Sequence, residues 1–337
     1  MPEGNLSHGL TRLGTADRRI VRVDTGATVT LRGVNRSGLE YSCGPNGFLE
    51  AAGITQDQIR DIAEGWSAKI LRLPFNQDWA LNGRNGATAE AYLSSLDQVI
   101  EWAAQHGAYT LLDLQWLDAD TFHGHLTGGD PNFVAPLPNR ATVDLWAMLA
   151  RRYRDEPAVL FDLFNEPHDR LGDDDHPLCL IDQKGGFVDS DSREVTSRQW
   201  LPWASKLVDV IRREHPQSLI WVGGVDWAFD LRDIELDAAN IVYSAHVYPN
   251  RLRLQWTNRF GHVGDDRPLF LGEFGGSDDD FEWGARLLAY AKERACGWTA
   301  WSWSDYPRLV KNAQGGDHTP TQFGSLVRGA LTQDVNV

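Results

Sequence analysis

The chain has 337 residues, 42% of them apolar, and a formal charge of −15 at neutral pH. The apolar share supports a large folded core and excludes a disordered chain. The acidic balance repels phosphate backbones, which argues against nucleic acid as a partner, and no run of about 18 apolar residues is present to span a membrane.

In chain order, the opening MPEGNLSHGLTR has no apolar stretch of the kind a secretory leader needs. The protein is therefore expected to be cytoplasmic, or secreted if a leader has been removed. Eight runs have the length and content of strands: Val29–Asn35, Lys69–Leu73, Tyr109–Leu114, Val159–Phe164, Leu219–Val222, Ile241–His246, Leu269–Gly272 and Trp298–Trp303. They are apolar runs more than alternating ones, the pattern of parallel strands covered on both faces. Helical stripes lie between them, Leu93, Leu96, Ile100 and Ala103 in one, Trp146, Leu149, Ala150 and Tyr153 in another. Thr55, with Gln58 three residues on, has the spacing of a capping box ahead of a helix through Trp66. The stretch after the fifth strand has no clear helical pattern. This alternation predicts an α/β fold, a (β/α)8 TIM barrel, as a single catalytic domain over residues 1–337 with its barrel core at about 29–332.

Other features follow the same order. Cys43 and Cys179 fall in predicted loops and could pair, and Cys296, ahead of a buried strand, is expected to be a free core thiol. The insertion Asp169–Asp191 follows the fourth strand, where barrel loops wall a cleft. Its DDDH segment is read as a solvated acidic loop. Fourteen tryptophans are many, and because pyranose rings present flat apolar faces they raise the expectation of carbohydrate. Trp66, Trp102 and Trp146 fit helical core positions. Trp79, Trp116, Trp227 and Trp256, near strand ends, fit packing and sugar stacking equally well.

The chemistry gathers at C-terminal strand ends, where a barrel places its active site. Arg72 ends the second strand in LRLPF, and Gln115 the third in LLDLQW. Asn165 and Glu166 end the fourth in FDLFNEP, and His246 and Tyr248 the sixth in YSAHVYP. Glu273 ends the seventh in PLFLGEFGG, and Trp301 lies on the eighth in WTAWSW. Each glutamate closes a buried run, where an uncompensated charge is costly. A carboxyl pair there suits glycoside hydrolysis, one protonating the leaving oxygen while the other attacks the anomeric carbon or activates water. Arg72 beside Glu273 would hold that carboxylate ionised. Glu166 has no evident cation, so burial is expected to raise its pKa, as an acid requires. Pro167 biases Glu166 toward an extended conformation. His123-Gly124-His125 has a metal-ligand spacing but sits in a loop and is read as a substrate contact, and His168 as a loop residue. No metal or cofactor is expected.

The ordered set of strings resembles glycoside hydrolase family 5, the cellulase family of the clan with catalytic glutamates after strands four and seven, over roughly Leu31 to Ser304. LRGVN followed by YSC, and YSAHVYP, look most like bacterial endoglucanases. The resemblance implies a retaining β-glycosidase, an endo-β-1,4-glucanase, with Glu166 as acid/base and Glu273 as nucleophile. It also implies that Asn165 bonds the sugar 2-hydroxyl and that Arg72 and Tyr248 bracket the nucleophile. His246 would order the polar network and Trp301 stack on the reacting sugar.

The family usually ends its third strand in His, where this chain has Gln115. A glutamine can bond a sugar hydroxyl but does not titrate near neutral pH. That keeps a β-mannan or another β-glycoside open as substrate, and transglycosylation is open to any retaining enzyme. Outside hydrolysis, a non-catalytic carbohydrate-binding barrel would lack one of the glutamates. A phosphate-using barrel would want a glycine-rich loop after strands seven and eight, of which Gly275-Gly276 is the sole hint; these glycines are better read as letting the backbone turn beside Glu273. The expected partner is a β-linked oligo- or polysaccharide, with no nucleic acid or membrane, and the protein is expected to be a monomer. A carboxyl separation of about 5 to 5.5 Å would fit retention, and roughly 6.5 to 9.5 Å inversion.

Overall fold

The computed structural model describes residues 7–117, 135–168 and 195–332. Among them, eight parallel strands close a barrel: β1 (Arg32–Asn35), β2 (Ile70–Asn76), β3 (Tyr109–Trp116), β4 (Val159–Asp162), β5 (Ile220–Gly223), β6 (Ile241–Val247), β7 (Leu269–Phe274) and β8 (Gly297–Ala300). Each pairs with the next, and β8 returns to β1 through Trp298↔Arg32 and Ala300↔Val34. β2 and β6 are buried along their whole length, as strands covered on both faces must be. This is the TIM barrel expected from the sequence.

The helices pack their predicted stripes inward. Ala89–Gln105, capped by Thr88, buries Leu93, Leu96, Ile100 and Ala103, and Arg140–Arg152 buries Trp146, Leu149 and Ala150. Thr55 caps Gln56–Arg60 by accepting from the Gln58 N–H. Gln58 does not close the box: its amide turns into the core, accepting from Arg36 and donating to the Ala313 carbonyl at 2.7 Å. Between β5 and β6 the chain is loop without an α-helix, so the βα alternation lapses where the sequence shows no stripe. No helix among the described residues is long and apolar enough to cross a membrane.

Several strands depart from their expected ends: β3 and β7 run two residues further, and β8 stops at Ala300, so Trp301 lies beyond it and not on it. β2 and β4 bear most on the site. β2 runs on through Pro74 to Asn76, so Arg72 sits in mid-strand, not at its end. The Arg72 carbonyl faces β1, accepting from the Arg36 N–H at 2.9 Å. Pro74, two residues on, faces the same side, where β1 has already stopped, so its missing N–H breaks no ladder. The β4 ladder stops at Asp162, before Asn165 and Glu166. The backbone stays pinned beyond it, because the N–H of Leu163 donates to Trp221 and that of Asn165 to Leu114.

The barrel interior changes character along its axis. Residues two apart on a strand share a face. At the N-terminal end Ile70, Leu111, Leu160, Trp221, Val242 and Phe270 form one buried apolar cluster. An antiparallel hairpin, Leu13–Ala16 with Arg19–Arg22, adds Leu13 and Ile20 to it and closes that end. One step higher on the same faces stand Arg72, Asp113 and Asp162, all buried. Cys296 is a buried thiol whose pKa burial pushes up to about 12. The pairing read for Cys43 and Cys179, the His123–His125 motif and the Asp169–Asp191 insertion involve residues outside those described.

Candidate active site

Arg72 is the hub. From 0% exposure its guanidinium reaches Glu273 Oε1 at 2.7 Å, Asp162 Oδ2 at 2.9 Å and Asp113 Oδ1 at 2.9 Å. It also donates to Asn35 Oδ1 and Asn165 Oδ1, each at 3.0 Å. Burial alone would lower its pKa, and the three carboxylates outweigh that and raise it, so it stays charged. One guanidinium does not offset three acids. Burial drives Asp113 well above the usual carboxylate range and lifts Asp162 to about 6, against the pull of Arg72.

Glu273 reaches this hub through a bulge. The β6–β7 register slips between Leu271 and Glu273, which turns the carboxylate inward. The intervening Gly272 has no room for a side chain: a Cβ would lie 2.5 Å from Ser244 Oγ and 2.8 Å from His246 Nε2. Its carbonyl is fixed by Asn35 Nδ2 at 3.1 Å and Thr299 Oγ1 at 2.6 Å. Both oxygens of Glu273 accept, Oε1 from Arg72 and Oε2 from the Tyr248 hydroxyl at 2.7 Å. That is the hydrogen-bonding pattern of an ionised carboxylate. Burial, with Glu273 beside it, raises the Tyr248 phenol well above its ordinary value, so it stays a donor.

Glu166 stands across from it with 18% of its side chain exposed. Burial raises its carboxyl to about 7, with Arg72 and Arg251 pulling the other way. His246 Nδ1 lies 2.8 Å from Glu166 Oε1 and 3.7 Å from Glu273 Oε2. Burial pushes His246 down to about 3, Glu273 opposing and Arg72 assisting, so the ring is neutral at working pH. Polar atoms of Glu166, His246 and Glu273 all lie within 4.8 Å of one another. Such a trio could hold a cation by distance alone, but His246 Nδ1 and both Glu273 oxygens already have partners, and Arg72 already supplies positive charge.

The other predicted residues border this pair. Asn165 is buried with its Oδ1 committed to Arg72. Gln115, next to last on β3, has a buried Oε1 with no hydrogen-bond partner among the described residues. Trp301 follows β8, partly exposed, with its indole N–H donating to the Tyr306 carbonyl at 3.3 Å. Of the candidate platforms, Trp79 and Trp256 are core, at 2% and 0% exposure. Trp116 and Trp227 are half-buried. Trp116 packs against Tyr41, ring centroids 5.8 Å apart. Trp227 stacks on His168 at 4.0 Å and 16°; His168 is a loop residue, as expected, and is buried.

Sequence reasoning missed Asn35, Asp113 and Asp162. The two aspartates interrupt apolar strand runs in LLDLQW and FDLF, the same signal that exposed the glutamates.

The chain matches the profile of Cellulase (glycosyl hydrolase family 5) across residues 24–307. It belongs to glycosyl hydrolase family 5. Among its relatives, Endoglucanase E-5 of Thermobifida fusca is 24% identical over 83% of this chain and 53% of its own length. An endoglucanase of Paenibacillus polymyxa is 24% identical over 83% of this chain and 76% of its own. The chain thus spans about half the length of the first of these. A beta-glucanase from Saccharophagus degradans superposes with a TM-score of 0.73 at 20% identity, covering 98% of this chain and 96% of that one. The catalytic domain of a T. fusca endoglucanase, crystallised with cellotetraose, gives 0.68 at 21% identity over 97% and 99%. These likenesses place the barrel within the family 5 fold.

Proposed function

We propose that this family 5 protein is a retaining endo-β-1,4-glucanase in which Glu166 is the acid/base and Glu273 the nucleophile. The observation that carries the reading is the approach of their polar atoms to within 4.8 Å, in environments that push the two carboxyls apart in role. That spacing is shorter than the roughly 6.5 to 9.5 Å an inverting pair needs for its water. The named relatives, endoglucanases and a cellotetraose-bound catalytic domain, support the choice of a β-1,4-glucan.

In the first step Glu166 gives its proton to the glycosidic oxygen as that oxygen leaves. The anomeric carbon–oxygen bond breaks, and a bond from a Glu273 oxygen to the same carbon forms on the opposite face. Esterification removes the negative charge beside Glu166, which keeps that carboxylate ionised once its proton has gone to the leaving group. Glu166 then takes a proton from water, the water oxygen attacks the anomeric carbon, and Glu273 leaves as a carboxylate. Arg72 and Tyr248 hold the nucleophile throughout. Asn165, its oxygen fixed by Arg72, has its NH₂ to donate to the 2-hydroxyl, Gln115 Oε1 accepts from another hydroxyl, and Trp301 underlies the ring.

Glu273→Ala and Glu166→Gln should each lower hydrolysis of carboxymethylcellulose and cello-oligosaccharides by about 10³-fold or more. Near-normal activity in either variant overturns the assignment. The initial product should be the β-anomer by proton NMR. kcat/KM should decline on the alkaline side through about pH 7, as Glu166 loses the proton it must donate. A β-mannan and aryl β-glycosides assayed in parallel decide whether glucan is the preferred chain.

A further inference from the structure

The loop after β5 carries an unusual run of backbone. Asp226, Trp227 and Ala228 are consecutive non-glycine residues at φ of 55°, 60° and 56°. L-residues visit that left-handed region singly, and a run of them persists only where its surroundings over-determine it. Here they do. Arg251, three residues past Tyr248, grips Asp226 with both arms, Nη1 to Oδ2 at 2.9 Å and Nη2 to Oδ1 at 3.0 Å, and Nη2 also donates to the Asp226 carbonyl at 2.9 Å. The guanidinium lies over the Phe229 ring, 4.7 Å from its centroid. The Trp227 N–H donates to the Pro167 carbonyl at 3.1 Å, and the Ala228 carbonyl accepts from the His246 N–H at 3.1 Å.

The turn is therefore a strut between the two residues flanking Glu166: Pro167, its chain neighbour, and His246, its hydrogen-bond partner. It presents Trp227, stacked on His168, on the β4–β6 side of the rim.

We propose that Arg251 is a positioning residue for the acid Glu166: paired with Asp226, it holds the left-handed turn that is hydrogen-bonded to Pro167 and His246, the two residues flanking that carboxyl. This rests on the retaining glycosidase reading above. The groups facing Glu166 are Arg72 from β2, His246 and Tyr248 from β6 and its end, Glu273 from β7, and Arg251. Tyr248 and His246 keep their protonation states across the working range, so among the cations only Arg251 can be removed without dismantling the hub under Glu273.

The test compares kcat/KM on cellotetraose, whose leaving sugar needs the acid, with 2,4-dinitrophenyl cellobioside, whose leaving group needs no proton. Arg251→Met should lower kcat/KM on cellotetraose by roughly 10-fold to 100-fold and change the aryl glycoside by less than about 3-fold. Removing a cation favours the protonated acid, so the alkaline limb on cellotetraose should move to higher pH. Arg251→Lys keeps a charge but not the two-armed grip: the limb should stay while part of the cellotetraose loss remains, and this variant carries the comparison if the Met variant is unstable. Equal losses on both substrates with an unmoved limb would show a merely structural role and overturn the proposal, as would an unchanged enzyme. A wild-type protein that cleaves neither substrate would remove the glycosidase reading itself, a result distinguishable from the others.

Discussion

The two ends of the barrel interior are built from the same strands, a few residues apart, and follow opposite rules. At the N-terminal end Ile70, Leu111, Leu160 and Phe270 fill the space with hydrocarbon under a hairpin lid. At the C-terminal end, one step along the same faces, Arg72, Asp113, Asp162 and Glu273 crowd four ionisable groups into a volume that excludes water. The floor gains stability from every buried methylene. The upper layer gains little, since buried ion pairs roughly break even against apolar packing and an unmatched acid is a net loss. What the upper layer obtains is placement: two glutamates held close, each with its own set of partners. Stability and chemistry are separated along one axis.

That separation can be tested most severely at Arg72. Arg72→Met leaves three buried acids without a counter-charge and should cost about 3–5 kcal/mol in urea unfolding, with activity down about 10³-fold or more. Adding Asp113→Asn and Asp162→Asn should return much of the stability and none of the activity. A triple variant as unstable as the single one would mean that the charge layer is not where the loss arises. At the floor, Phe270→Ala should cost a similar 3–5 kcal/mol or so while kcat per folded molecule stays within about 2-fold. A large fall in kcat there would break the division. The smallest effect is expected at Glu40, in the loop after β1, which burial lifts from 4.5 to about 8. The native acid keeps a proton that the unfolded chain releases, so wild-type stability should fall as pH rises from about 4.5 to about 8 and then level. Glu40→Gln does not titrate, and its advantage in urea midpoint should grow across that window by about 1–3 kcal/mol. An advantage independent of pH would assign the titration to other groups, such as Asp162 and Glu166.

The barrel and the glutamate pair were legible in the sequence because both write themselves into local pattern. A parallel strand is an apolar run, and a carboxylate at its end has no packing reason to be there. What stayed hidden depends on which way a strand faces and where its neighbour stops. Pro74 reads as a strand terminator until β1 is seen to end beside it. The inward turn of Glu273 depends on a register slip at Gly272 that no spacing announces. Trp79 and Trp116 look alike in sequence, and only packing assigns the first to the core beside Phe48 and Tyr92 and leaves the second half-buried. Arg251 pairs with Asp226 from a separate loop, a contact that strand patterns do not encode.

The hairpin that closes the floor has a consequence for the order of assembly. Ile20 leaves the ribosome early, yet the cluster it completes includes Phe270, about 250 positions later. Until β7 arrives, the hairpin's apolar face has only part of its partner cluster to dock on. Seating it in full is thus a sign that β7 has joined the ring. A newly made molecule should resist proteolysis near Arg18 and Arg19 only after that strand is in place, and intermediates stalled earlier should be the ones that aggregate.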